Sequence, residues 1–152
     1  MTLEPWFPNV SKRFVKSPKV FQTDSGILHT WLNLPDTDSL LGSSALGTSW
    51  EGYVINQIKS IAGDRLGYFF YRTHQGAECD LVLVKGDAPV AGIEIKFSPA
   101  RTLEKGFFIA VEDLKTPKNF VIVAGTTDYE ARKNHYVVNL SSFLKNYLPE
   151  LL

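Results

Sequence analysis

The chain has a single cysteine, Cys79, so no disulfide within it can brace the fold, and the reducing cytoplasm is the expected location. Net charge is missing too, because sixteen lysines and arginines cancel sixteen aspartates and glutamates. No global field therefore draws the protein to nucleic acid or an anionic membrane, and such a partner has to be held by a local patch. No apolar run approaches the ~20 residues that span a bilayer, and residues 1–8 lack the charged and apolar regions of a signal peptide. A GxxxxGK[ST] loop is also absent, which excludes P-loop nucleotide hydrolysis by this chain alone. His29, His74 and His135 are too dispersed, and too poorly spaced with Cys79, to make a zinc site.

What is present suffices for one core. The 152 residues are 44% hydrophobic, enough for a single ordinary domain, whereas two domains would each be starved of apolar side chains. Residues 1–18 carry three prolines with Lys12, Arg13 and Lys16 and have no period, so they read as an irregular lead-in or linker before a single domain over residues 19–152. A short strand is expected from Lys19 to Asp24. Asp24 or Ser25 then caps a short helix through Ile27, Leu28, Trp31 and Leu32, stopped by Pro35.

A longer helix is expected from about Ser44 to Ile61, because Leu46, Trp50, Tyr53, Val54, Ile58 and Ile61 recur at intervals of three and four, with Gly63 closing it. Trp31 and Trp50, at helical spacing, are expected in the core. Three runs rich in β-branched and aromatic residues follow, Gly67 to Thr73, Glu78 to Val84 and Ala91 to Phe97. Gln75-Gly76 and Gly86-Asp87 punctuate them closely enough for hairpins, which predicts an antiparallel three-stranded meander. A helix over Leu103 to Leu114, strands over Phe120 to Ala124 and Tyr136 to Val138, and a terminal helix from Ser141 or Ser142 complete the order. The fold class is α/β: a sandwich around a mixed central sheet, with a small helical N-terminal segment.

Four residues in this frame have chemistry to offer. Asp80 opens the second strand of the meander, and Glu94 and Lys96 lie on one face of the third, with Ile93, Ile95 and Phe97 facing the core. Glu51 follows Trp50, at the edge of the helix's apolar stripe. An isolated carboxylate with a lysine two residues on is ordinarily a surface ion pair. Here, however, Asp80 precedes the continuous apolar run Leu81 to Val84, typical of a strand covered on both faces, so two carboxylates stand at the mouth of a buried sheet. Phosphodiester hydrolysis needs a cation to neutralise the phosphoryl oxygens and a positioned water. Mg2+ or Mn2+ takes hard oxygen ligands, which Asp80, Glu94, the Ile95 carbonyl and Glu51 can supply, and Lys96 can orient or deprotonate the water.

Glu51 on its helix, RTHQGAECD over Arg72 to Asp80 and GIEIK over Gly92 to Lys96 resemble the PD-(D/E)XK nuclease superfamily. More narrowly, SKRFVKSPKVFQTDSGIL, LGTSWEGYVINQI and RTHQGAECDLVLV resemble the domain that follows the ATPase module in a widespread family of prokaryotic AAA-type ATPases, over about Val10 to Leu148. The resemblance implies a restriction-endonuclease-like core, with Glu51, Asp80, Glu94 and Lys96 in the metal and catalytic positions. It also implies an ATPase module as partner, in this or another chain. Cys79 stands where the superfamily often has proline, a position that ligates nothing.

Several residues have secondary claims. Arg72 can grip a phosphate, but is as well explained as a cross-strand partner of Glu78. Gln75 can hold a water or a base edge. Lys12, Arg13, Lys16 and Lys19, with Phe14 and Phe21 interleaved, make a basic patch suited to a nucleic-acid backbone. The expected activity is Mg2+-dependent cleavage of nucleic acid, DNA in preference to RNA. The alternative is a non-catalytic module that binds nucleic acid or a protein through the same fold.

Overall fold

The β-rich segments of the sequence assemble into one eight-stranded mixed sheet of order β2-β1-β3-β4-β5-β6-β8-β7. The computed structural model describes residues 1–7, 17–98 and 104–152. Its centre is the expected meander, β3 (Gly67–Arg72), β4 (Glu78–Lys85) and β5 (Ala88–Lys96), paired antiparallel throughout. The apolar runs Leu81 to Val84 and Phe120 to Val123 are buried on both faces, as continuous apolar strands require. Beyond β5 the sheet turns parallel, through β6 (Lys118–Val123) to β8 (His135–Asn139), with β7 (Asp128–Arg132) antiparallel at the far edge.

Helices cover both faces. α3 (Leu46–Ala62) buries Val54, Ile55 and Ile58 against Leu81, Leu83, Ile93, Phe120 and Ile122. It ends where Gly63 adopts φ +56°, a left-handed conformation that favours glycine. The C-terminal segment joins that face through Phe143, Leu148 and Leu151. It consists of α5 (Leu140–Ser142), a π turn (Phe143–Tyr147) and α6 (Leu148–Leu151). On the opposite face α4 (Lys105–Leu114) lays Phe107, Ala110, Val111 and Leu114 on Val82, Val84, Val121 and Val123.

The structure departs from the sequence reading in four places. The lead-in read as irregular over residues 1–18 contains a strand, β1 (Thr2–Pro5), parallel to β3 and with Leu3 buried. β1 also pairs with β2 (Lys19–Val20), a strand of two residues at the sheet edge. Trp31 is 74% exposed rather than core. It lies on α1 (Ser25–Trp31), which, like α2 (Thr37–Leu41), has no buried residue, so helical spacing here marks a small outlying helical pair. Phe21, read as interleaved in the basic patch, is 6% exposed and packs onto α3 at Gly52, where an added Cβ would stand 3.2 Å from its ring. β7 escaped sequence reading because every one of its residues is exposed, which leaves no apolar alternation.

Candidate functional site

A one-residue bulge shapes the site. From the partner pair Phe69–Val82 to Tyr71–Cys79, β3 advances two residues while β4 advances three. Cys79 and Val82 consequently both face α4, whereas Leu81 faces α3, and the inserted residue next to it is Asp80. The regular β4–β5 pairing runs no further than Leu81–Ile93. There Asp80 replaces a backbone acceptor with its own side chain, and the Ile95 N–H donates to its Oδ2 at 2.9 Å. Asp80 thus ties the two strands together while its other oxygen turns toward α3.

That oxygen meets an unexpected partner. The Lys19 ammonium, from β2, stands 3.0 Å from Glu51 Oε1, 3.3 Å from Asp80 Oδ1 and 3.5 Å from Glu78 Oε1. It also lies 5.5 Å over the Phe70 ring. Its placement corrects the reading of Lys19 as part of a basic patch for nucleic acid: its charge is spent inside an acidic cluster. Burial works against the ammonium, but Asp80 and Glu51 outweigh it and its pKa is raised. Burial and the neighbouring Asp80 charge also push the Glu51 carboxyl up, despite Lys19.

Glu94 and Lys96 lie together on the α4 side. Lys96 Nζ is 3.3 Å from Glu94 Oε1 and also pairs with Glu104, just before α4. The Trp50 indole of α3 donates to the Lys96 carbonyl at 3.1 Å, which pins the end of β5 to that helix. Glu94 is 8% exposed, and its Oε2 is buried with no hydrogen-bond partner among the described residues. Burial, only partly offset by Lys96, pushes its pKa up to about 7. An orphaned carboxylate oxygen costs free energy unless it is protonated or meets a cation.

Asp80, Glu94, Ile95, Lys96 and Glu78 line one cleft of about 550 Å³, closed on the far side by Gly76 and by Glu104 to Phe107. Gly106 lets the first turn of α4 close that wall, since a Cβ there would stand 2.6 Å from the Gly76 carbonyl oxygen. Glu51 lies behind Asp80, joined to it through Lys19 rather than opening onto the cleft. Among the described residues, no three His, Cys, Asp or Glu side chains stand together as a metal-ligating group. Arg72 pairs in register with Glu78, its Nε 3.6 Å from the carboxylate. Gln75 is exposed in the β3–β4 turn. Lys12 and Arg13, with Phe14 and Lys16, lie outside the described residues. Cys79 is fully buried, and burial raises its thiol pKa, so it is not a nucleophile. Lys19 was missed as a site residue because it lies 61 positions from Asp80, and no local spacing links them.

The buried Glu94 gives a direct test of this geometry. Its folded-state pKa of about 7 stands above the ordinary value of 4.5, so the folded state keeps a proton that the unfolded chain has already lost between those values. Its contribution therefore becomes less favourable as pH rises through that window and is at its worst above pH ~7. Discounted for solvent screening, the penalty is about 1–2 kcal/mol. Glu94→Gln is expected to raise the melting temperature by roughly 2–8 °C at pH 8 and to leave it little changed at pH 4. Calorimetric melts at the two pH values check this, and an equal shift at both would show that the gain is unrelated to charge.

The fold and cleft define an α/β domain whose mixed sheet presents one buried and one partly buried carboxylate, Glu94 and Asp80, and a lysine at the mouth of its central strands. Residues 46–143, which include Glu51, Asp80, Glu94 and Lys96, match the family described as a domain of unknown function (DUF4143), and the chain belongs to that family. It is 34% identical over 123 residues to uncharacterized protein Rv2008c of Mycobacterium tuberculosis (strain ATCC 25618 / H37Rv). The same identity over the same length relates it to uncharacterized protein Mb2031c of Mycobacterium bovis (strain ATCC BAA-935 / AF2122/97). In both cases the match covers 81% of this chain and 27% of the relative, so the chain spans about a quarter of the length of the curated relatives it matches. No solved structure matches. No helix among the described residues is long and apolar enough to cross a membrane.

Proposed function

We propose that this domain is a cytoplasmic, metal-dependent nuclease of restriction-endonuclease-like, PD-(D/E)XK type that hydrolyses phosphodiester bonds in nucleic acid, DNA in preference to RNA. One observation carries the proposal: Glu94 is held buried, with an oxygen that has no partner among the described residues, beside the cleft that Asp80 and Lys96 also line. A purely structural ion pair gains nothing from an orphaned carboxylate, whereas a cation site needs one. The donor set fits a hard cation, since it consists of oxygens alone. Asp80, Glu94 and the Ile95 carbonyl would hold Mg2+ or Mn2+, and Glu51 would support Asp80 from behind. When bound, such an ion supplies charge neutralisation at a phosphoryl oxygen and acidifies a water. Lys96, already fixed by Glu94, Glu104 and the Trp50 clasp, orients the attacking water and takes up or stabilises the charge that develops. Arg72, exposed beside Glu78, would meet a neighbouring phosphate. Following the resemblance in its sequence, the partner is an ATPase module, in the same polypeptide or another.

A second reading is favoured by a different observation. Lys19 already neutralises part of the Glu51, Glu78 and Asp80 cluster, as in an interaction module whose polar groups are satisfied internally. Calorimetric titration of Mg2+ and Mn2+ into the parent, Asp80→Asn and Glu94→Gln proteins, with cleavage of mixed DNA and RNA substrates measured alongside, separates the two. Metal binding and cutting that both vanish in the variants support the nuclease. Absence of metal binding by the parent overturns it in favour of the module.

A further inference from the structure

We propose that the Lys19 ammonium is the protein's own counter-ion at the acidic cluster, and that a divalent cation engages Asp80, with Glu51 behind it, only by displacing Lys19. In this way β2 sets how tightly the site binds metal. The inference rests on the nuclease reading above and adds a control to it.

Three carboxylates from three places converge on one nitrogen: Glu51 of α3 at 3.0 Å, Asp80 of the β4 bulge at 3.3 Å and Glu78 at the start of β4 at 3.5 Å. One ammonium cannot neutralise three carboxylates, and among the described residues Arg72 on Glu78 leaves Glu51 and Asp80 to share the single charge of Lys19. The cluster therefore remains negative and attracts more positive charge. In the cleft that Asp80 also lines, Glu94 Oε2 is buried without a partner among the described residues, in a residue only 8% exposed. A monovalent ammonium on one side and an unmet carboxylate oxygen on the other describe a site that a divalent cation fits better than lysine does.

The element carrying Lys19 is easily moved. β2 has two residues at the sheet edge and, among the described residues, pairs only with β1, in the couples Thr2–Val20 and Leu3–Lys19. So short an edge strand opens locally at little cost, and the four-carbon stem lets the ammonium withdraw with the backbone in place.

Mn2+ binding, read from the electron paramagnetic resonance signal of the free ion, is compared in the parent, Lys19→Gln and Lys19→Arg proteins. Lys19→Gln is expected to bind Mn2+ about tenfold more tightly and Lys19→Arg within about threefold of the parent, since only the first removes the competing charge. Mg2+ should also raise the melting temperature of Lys19→Gln more than that of the parent. A parent that binds Mn2+ and a Lys19→Gln protein that binds it equally or less tightly overturn the role of Lys19 and leave the nuclease reading intact. No Mn2+ binding by any of the three overturns both. Should Lys19→Gln fail to fold, the parent still decides: Mg2+ is expected to shift the Lys19 Cε resonance as the ammonium leaves its carboxylates, and an unmoved resonance in the metal-bound protein overturns the proposal.

Discussion

Lys96→Met is expected to lower the rate of nucleic-acid cleavage by about 10²–10³-fold, the range attached to losing one preorganised charge-stabilising donor, while leaving divalent-metal binding in place. Methionine keeps the unbranched apolar stem and removes only the ammonium. The backbone at residue 96 is fixed independently of the side chain, by parallel pairing of Lys96 with Val123 and by the Trp50 donation to its carbonyl. A loss of turnover is therefore not a loss of the strand end. Removing the ammonium also removes a charge that repels a cation next to Glu94, 3.3 Å away, so metal affinity should hold or rise as activity falls. Single-turnover cleavage and metal titration on the same preparation check the two halves together. A fall of less than tenfold would reduce Lys96 to a counter-ion for Glu94 and Glu104. A fall accompanied by lost metal binding would mean that Lys96 acts by holding Glu94 in place.

Much of this site was legible in the sequence because its residues are tied to local patterns. Glu94 and Lys96 are two apart in a strand, and the period of a strand puts them on one face. Asp80 heads an apolar run that has to be a covered strand, and the two turns between the three runs leave a meander as the natural connection. The remainder depends on contacts that no local period records. The β4 bulge, which sends Asp80 toward α3, shows only in the shift between the Phe69–Val82 and Tyr71–Cys79 pairs, and nothing in LVLV announces it. Lys19 sat among basic residues and read as one of them, yet its charge is set by Glu51 and Asp80, 32 and 61 positions away. Trp31 had the spacing of a core residue on a helix that has no core to face. β1 is short, and only its pairing with the distant β3 and β2 makes it a strand. Periodicity thus identified the elements with a buried face, and long-range charge pairing determined what the site contains.

Phe120→Ala is expected to cost about 3–5 kcal/mol of stability, the range for truncating a buried aromatic side chain, and so to remove a large share of the roughly 5–15 kcal/mol typical of a folded domain. Phe120 is fully buried on β6. Its ring centroid lies 5.0 Å from Phe143, 5.3 Å from Tyr147 and 5.4 Å from Tyr136. It therefore joins the C-terminal segment to the sheet, and its loss leaves a cavity that three rings fixed on two elements, β8 and the π turn, cannot easily fill. Phe120 also pairs in register with Ile93, one residue before Glu94. The same stretch of sheet thus carries opposite energies on its two faces: apolar burial against α3 and the C-terminal segment stabilises it, while the buried carboxylate toward α4 strains it. Chemical denaturation at pH 8 checks the pair, with Phe120→Ala moving the midpoint down and Glu94→Gln moving it up. A loss below about 1.5 kcal/mol for Phe120→Ala would mean that the aromatic cluster collapses around the gap, and that the C-terminal segment is held mainly by Leu148 and Leu151.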